Sequence, residues 1–382
     1  MAESTTRAAL TPQVWDDQFF TEYVRTNRFR RYMGTSPDNV IQVREQLGRQ
    51  PGDRITFGSV RALSGGVTGN TVLEGNEAEL DTRSMTVAIS PLRNAVVVTD
   101  WEEQKSAMDL RAAARPGLRT WAQEKMREDV IRALKSVPNT AGNMVRWELA
   151  TAAERNTWLV NNSDRVLFGS AKSNGSSGVV ATALATVDST NDKLTPAVVS
   201  LAKRMAQSAS PRIMPTRTRE EDEEWFLMFA NPRSFRDLAT DATMVQANRD
   251  ARVRGVETNP LFTGGSLVWD GVIIREIPEM DAAIAASTGR LATEGGILAG
   301  AGTAGIDVGF NFLCGAQAIG AAWAQRLKST TDVRDYNFRH GVGVQEIRGI
   351  EKLVFGKDPT TDTGQLIQNG VVTVFTSAVA DL

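Results

Sequence analysis

Residues 53–63 read DRITFGSVRAL and residues 79–89 read ELDTRSMTVAI, and what these two stretches cannot do alone decides the fold. Both read as strands, and Met85, Val87 and Ile89 alternate with polar neighbours in the period of a half-buried strand. Between them, residues 64–78 carry Gly65, Gly66, Gly69 and Gly75 as turn residues. Two strands of about ten residues make a hairpin roughly 30 Å long. Its apolar side chains are few, and an isolated two-stranded hairpin is marginal in water. The hairpin therefore has to lie against something else, in this chain or in a neighbouring one.

Upstream, Thr11-Pro12 supplies an N-cap and a first-turn proline, and Trp15, Phe19 and Tyr23 follow at helical spacing, with Gly34 as a stop. Arg25, Arg28, Arg30 and Arg31 crowd the C-terminal end of that helix, where they suit its dipole. This aromatic stripe needs a surface to pack on, either the chain's own core or another subunit. Downstream, Asp100 and Glu103 form a candidate capping box for a helix starting at Trp101. Pro116-Gly117 should break or kink that helix. It resumes with Leu118, Trp121, Ala122, Met126, Val130 and Leu134 on one face and ends before Pro138. The whole stretch from Trp101 to Ser136 would span roughly 50 Å.

Further along, residues 170–178 (SAKSNGSSG) read as a flexible loop, Pro196–Ser208 and Pro232–Leu238 as helices, and Trp225–Ala230 as an apolar strand. Leu267–Val268 and Val272–Ile277 are expected strands. Residues 289–309 hold seven glycines and read as a mobile or tightly turning segment. A helix near Ala316–Leu327, strands at Val342–Ile347 and Lys352–Phe355, and a short β-prone tail at Val371–Phe375 complete the expectation. No internal repeat is visible.

The 382 residues suggest about two or three domains. Lys and Arg total 43 against 45 Asp and Glu, so the basic excess of a protein dedicated to sequence-specific DNA binding is missing. One cysteine, Cys314, excludes an intrachain disulfide, and with one histidine, His340, it excludes zinc sites built from several such ligands. Any Ser-His-Asp arrangement would have to run through His340. The first ten residues lack the apolar run of a signal peptide, and no run of 18 apolar residues occurs, so a soluble intracellular product with no membrane partner is expected.

The motifs that could carry chemistry are weak. Gly300-Ala301-Gly302-Thr303-Ala304-Gly305 matches G-x-G-x-x-G, but no strong strand precedes it and no acidic residue stands about 20 positions on. Gly356-Lys357 is followed by Asp358 rather than a hydroxyl residue, and Gly175-Ser176-Ser177-Gly178 lacks the nucleophile-elbow spacing. His340 reads as structural. The acidic run 220–224 reads as a solvated loop, with a divalent cation or an arginine-rich neighbour as the alternative. Residues 358–364 do not keep the spacing of a calcium-binding loop. The arginine clusters at 25–31 and 249–254 suit phosphate or salt bridges across subunits. No catalytic constellation emerges, and neither an enzymatic activity nor a cofactor or metal is expected.

Read together, the order of elements resembles the HK97-type major capsid proteins of tailed bacteriophages, and the wording resembles the family named after the major capsid protein of phage N4. The matching stretches are GDRITF at 52–57, GGVTGNTVLEGNE at 65–77, MDLRAAARPGLRTWA at 108–122 and RVLFG at 165–169. NPRSFRDLATD at 231–241, QANRDARVRGVETNPLFTGG at 246–265, WDGVIIRE at 269–276 and GVGVQEIRGIEKLVFG at 341–356 complete them.

The resemblance implies an α+β, HK97-like capsid fold. Residues 1–51 would be an N-terminal arm and 52–90 an extended β-hairpin E-loop. Residues 91–194 would belong to a P-domain whose spine helix covers about 100–137. Residues 195–330 would form an A-domain around local five- and six-fold axes, 331–357 would return to the P-domain, and 358–382 would be a C-terminal extension. It implies a head protein that assembles into an icosahedral shell around double-stranded DNA. The implied partners are its own copies in hexamers and pentamers, scaffolding and portal proteins, a decoration protein as a further option, and non-specific contact with packaged DNA. The implied location is the virion, and the host cytoplasm during assembly. The residues implied at contacts between copies are Trp15, Phe19, Tyr23, Arg54, Phe57, Gly65, Gly66, Gly69, Leu73, Glu74 and Glu77. Some members of this fold join an E-loop lysine to a neighbour's asparagine, but residues 1–104 contain no lysine, so that cross-link cannot form here. The rival readings are an encapsulin shell of the same fold, a nucleotide-dependent oxidoreductase using residues 300–305, and a phage tail or decoration component.

Overall fold

The computed structural model describes residues 29–45, 52–60, 67–70, 72–77, 82–105, 110–217, 224–252, 267–284, 295–356 and 365–381. The main elements in chain order are β1 (Ile41–Arg44), β2 (Arg54–Val60), β3 (Thr82–Ala88), β4 (Ser90–Thr99), α1 (Leu110–Lys135), α2 (Ala152–Asn161), β5 (Val166–Phe168) and α3 (Pro196–Ser208). They continue with β6 (Glu224–Ala230), α4 (Pro232–Thr240), β7 (Leu267–Trp269), β8 (Val272–Glu276), β9 (Val308–Cys314), β10 (Ile319–Arg334), β11 (Arg339–Lys352), β12 (Val354–Gly356), β13 (Leu366–Gln368) and β14 (Val371–Ser377). This is the α+β mixture expected.

Two sheets carry the architecture. One runs Met33–Gly34, β1, β10, β11, β4; the other runs β7, β8, β6, β9, β14, β5. In the second sheet every residue of β9 and β14 is buried, because both faces are covered. On one face Val198, Val199, Ala202 and Met205 of α3 pack over Met228, Leu313, Val372 and Val374. On the other, Trp147, Trp158, Phe168, Phe310 and Phe375 close an aromatic core. Trp147 meets Phe310 edge-on at 5.2 Å, and Phe168 stacks on Phe375 at 4.7 Å. The first sheet is covered on one face by α1, where Leu118, Ala122, Met126 and Val130 meet Val342 and Val344. The described chain enters at Phe29, whose ring stands edge-on to Phe229 at 5.3 Å.

Local sequence explains most helix starts. Thr195 caps α3 with Pro196 in the first turn, and Asn231 caps α4 with Pro232 behind it. Thr151 and Glu154 form a full capping box on α2. Helices α3 and α4, the strand over 224–230 and the strands at 267–269 and 272–276 fall where the sequence places them, whereas α2 was not expected.

Five expectations need correction. The helix near Ala316–Leu327 is instead strand β10. Residues 319–323 are buried on both faces between β1 and β11, and a side chain at Gly320 would collide with Leu353 and Phe57. Pro116, the seventh residue of α1, does not break the long helix: α1 continues through it to Lys135, and the many apolar contacts of its later turns outweigh the one backbone bond the proline removes. That helix is also shorter than expected, about 39 Å for its 26 residues. A separate turn of helix covers Asp100–Lys105, and the four residues between lie outside the described ones. The cap at its start is Thr99, whose hydroxyl accepts the Glu102 N–H at 3.3 Å. Asp100 instead faces His340 Nε2 at 3.1 Å. Finally, residues 371–377 are no appended tail: β14 lies in the middle of the second sheet, between β9 and β5.

Candidate assembly surfaces

The hairpin β2–β3 pairs in one register from Arg54↔Ala88 to Val60↔Thr82. Its base is half-buried in the alternating way the sequence implies. Ile55, Phe57 and Val87 enter a small core with Ala322, Leu353 and Phe355 of the same chain. Burying three such side chains is worth on the order of 5–9 kcal/mol. Arg83 is buried and donates to the Gly356 carbonyl, and the Val354 N–H lies 3.1 Å from Met85 Sδ. Phe57, expected at a contact between copies, is therefore corrected: it is 1% exposed in this chain's own core, under the Arg44 guanidinium at 5.2 Å. Arg54 sits on the exposed face, beside Asp53 at 3.7 Å.

The tip contrasts with the base. Val72 and Leu73 are 67% and 58% exposed, and Glu74 and Glu77 are exposed with them. The turn is locally organised: the Asn76 N–H donates to the Leu73 carbonyl at 2.9 Å, and the Gly75 N–H donates to the Glu77 carboxylate at 2.9 Å. Gly69 and Gly75 hold φ of +75° and +86°, a left-handed conformation that favours glycine. Trp15, Phe19, Tyr23, Gly65 and Gly66 lie outside the described residues, as do the acidic run at 220–223 and residues 253–254 of the second arginine cluster.

The surface on which the hairpin base rests is stiffened by a buried polar network that sequence reading missed. Arg348 on β11 donates to Asp129 of α1 at 2.7 Å and to Glu346 at 2.9 Å, and the Trp323 indole donates to Glu346 at 2.6 Å. Burial pushes the Glu346 carboxyl up, against the pull of Arg348. Nearby, Lys352 donates to the Leu134 carbonyl at 3.3 Å and to Gln368 at 3.1 Å, and burial pulls its ammonium down to about 7. Two charged residues, Glu346 and Arg348, sit on the same strand parity as Val342 and Val344. That pattern was the available signal: charges on an apolar face need partners on the element that covers it.

The groups that could carry chemistry are otherwise engaged. The Gly300–Gly305 turn uses its amides within the chain: Gly300 donates to Asp307 at 3.0 Å, Gly302 to Ile306 at 2.9 Å and Thr303 to Val187 at 2.8 Å. A phosphate would find those donors occupied. Cys314 is fully buried and its thiol is pushed well above the ordinary range. Among the described residues no cluster of three or more His, Cys, Asp or Glu is placed to hold a metal, and no helix is long and apolar enough to cross a membrane. A cavity of about 780 Å³ lies between the hairpin base and residues 209–214, lined by Val60, Pro211, Met214 and Phe355 among others. What the described surface offers is shape and contact, through a hairpin anchored at one end and open at the other.

Comparison with known proteins agrees with that emphasis. A family model described as phage capsid protein matches residues 5–380. A curated major capsid protein of Pseudomonas phage KPP25 is 25% identical over 371 residues, covering 96% of this chain and 94% of its own. The capsid of cyanophage Pam1 matches with a TM-score of 0.80 at 35% identity over 94% of each chain. The capsid of Ralstonia phage GP4 has the same fold, with a TM-score of 0.68 at 22% identity, over 93% of this chain and 92% of that one.

Proposed function

This chain belongs to the phage capsid protein family, and from that premise we propose how its parts divide the work of building a shell. It is a major capsid protein of the HK97-like fold, and copies of it form the shell of a virion. The observation that carries the division of labour is the contrast along one hairpin: a base locked into its own subunit and a tip with exposed apolar and acidic side chains. An isolated tip of this kind gains nothing within the subunit. It gains by lying across a neighbour, as an E-loop.

In this reading residues 52–90 are the E-loop and residues 1–51 an arm whose Trp15, Phe19 and Tyr23 also meet a neighbour. The α1 spine with β4, β10 and β11 is the P-domain frame, and 195–330 is largely the A-domain. Strand β10, Ile319–Arg334, runs across the boundary at 330 and belongs to the frame sheet, so in this reading the return to the P-domain begins at β10. Arg54, Gly65, Gly66, Gly69, Leu73, Glu74 and Glu77 are the hairpin residues that adapt to the neighbour. Reinforcement is non-covalent, since no lysine stands in residues 1–104 to make an E-loop isopeptide. Assembly takes place in the host cytoplasm with scaffolding and portal proteins, the finished shell meets double-stranded DNA without gripping it, and a decoration protein is a further partner. The subunit works by repeated modest interfaces rather than by catalysis.

Electron microscopy of the purified protein beside size-exclusion chromatography tests this. Closed polyhedral particles, or hexamers and pentamers, are expected. A protein that stays monomeric at high concentration and binds a nucleotide would overturn it.

A further inference from the structure

An arginine-bearing turn is pinned to the second sheet where the described chain begins. Phe29 and Tyr32 both set their rings edge-on against Phe229 of β6, at 5.3 and 5.8 Å. Residues Arg30–Tyr32 form a 3-10 turn, and Arg31 stands exposed on it. On the sheet, Phe229 pairs in parallel register with Arg275 of β8, so their side chains stand next to each other on one face. Tyr32 lies across both, with the Arg275 guanidinium 5.6 Å from its ring centre. The fold thus brings an arginine from late in the chain to the arginine cluster at its start.

The positive charge gathered here is not balanced. Among the described residues no carboxylate pairs with Arg31 or Arg275. The Arg275 Nε is shielded from solvent and has no hydrogen-bond acceptor among them. Tyr32 does not supply the missing negative charge. Burial pushes its phenol up although Arg275 and Arg31 both pull it down, so it stays a neutral hydroxyl. The sequence deepens the imbalance, with four arginines and no acidic residue between Glu22 and Asp38. A half-buried cation without a partner costs the subunit stability, and an incoming anion removes that cost.

The surroundings decide which anion. None of the large apolar side chains exposed on the described surface belongs to this turn, to β6 or to β8. A protein partner brings an apolar core to its interface, and this patch has nothing to offer it. A phosphodiester needs only fixed guanidinium groups and a hydroxyl, and such contacts hold a duplex without reading its sequence. Resting on the shell reading above, we propose that Arg31 and Arg275, with the Tyr32 hydroxyl beside them, form a phosphate-backbone contact for packaged double-stranded DNA. Each copy holds about two phosphates, a contact weak enough singly to let the duplex slide and repeated over the whole shell. Phe29 and Tyr32 are positioning residues that keep the turn against Arg275.

The test titrates a short labelled DNA duplex with the unassembled full-length chain at several salt concentrations, read by fluorescence anisotropy. Arg31→Ala and Arg275→Ala should each weaken binding about tenfold near 0.1 M salt, and each should make log K against log salt shallower by about one. Arg31→Lys combined with Arg275→Lys keeps the charge and should keep most of that slope. Arg204→Ala removes an exposed arginine from α3, on the opposite face of the same sheet, and should change neither quantity. Because Arg31 is exposed, its variant tests the site even where the Arg275 variant fails to fold. An unchanged slope in Arg31→Ala, an equal loss in Arg204→Ala, or a wild-type chain that assembles without binding the duplex would overturn the site and leave the shell function intact. Variants that bind DNA normally but no longer assemble would also overturn it, giving the arginines to an acidic surface of a neighbouring copy. A wild-type chain that forms no oligomer would instead count against the shell reading itself.

Discussion

Strand β14 and strand β2 are both seven residues long, and they live in opposite worlds. Every residue of β14 is buried, with Phe375 on one face and Val372 and Val374 on the other. In β2 only Ile55 and Phe57 are buried, and the chain beyond it leads to a tip that is exposed at every described position from 72 to 77. The first kind of strand makes a fold that stands by itself. The second borrows a foothold from that fold and spends its remaining surface on a neighbour. A shell subunit needs both kinds, because it must fold before it assembles and then deform without unfolding.

The largest effect should come from damaging the self-sufficient part. Phe375→Ala removes the ring that touches Trp147, Phe168 and Phe310, and a cost of about 3–5 kcal/mol is expected. Thermal unfolding should show one lowered transition for the whole molecule. An unchanged melting temperature would mean that the aromatic core is not what holds the second sheet.

Phe57→Ala should cost less, at the lower end of that range, and its effect should be local. Hydrogen exchange should speed up in β2, β3 and the neighbouring Val354–Gly356, while β9 and β14 stay protected. Loss of protection across the second sheet would break the distinction between anchored base and independent body.

The smallest effects are set by two adjacent residues on β11 that titrate in opposite senses. Burial raises the Glu351 carboxyl from 4.5 to about 7, with Arg132 opposing the shift. Between those values the folded state holds a proton that the unfolded state has released, so stability falls as pH rises through that window. Burial lowers Lys352 from 10.5 to about 7, so above pH 7 the unfolded state holds the extra proton and stability rises with pH. Urea titrations should show the first slope vanish in Glu351→Gln and the second in Lys352→Met. Parallel curves for wild type and variant would show that these groups do not titrate in the senses given.

The hairpin was legible because a half-buried strand writes its period into the sequence, as Met85, Val87 and Ile89 do. Capped helices were legible too, through Thr195-Pro196 and Asn231-Pro232. Strands buried on both faces leave no such period. Ile319-Gly320-Ala321-Ala322 uses small residues because β1, β11 and the hairpin base crowd it, and small residues read as helix when the neighbours are unseen. Strand β4 was hidden by Pro91 and Arg93, which face outward on the sheet edge. For the assembly surfaces, the acidic glycine-containing tip could be read directly. The foothold could not: Phe57 reads as a contact residue until Leu353 and Phe355 of the same chain are placed against it.

The most direct measurement is electron microscopy of the wild-type chain beside a variant lacking residues 64–78. Closed shells are predicted for the wild type. The variant should remain a soluble, folded protein with a near-native melting temperature and form no closed shells. Normal capsids from the shortened chain would contradict the claim that the hairpin tip exists for the neighbouring copy.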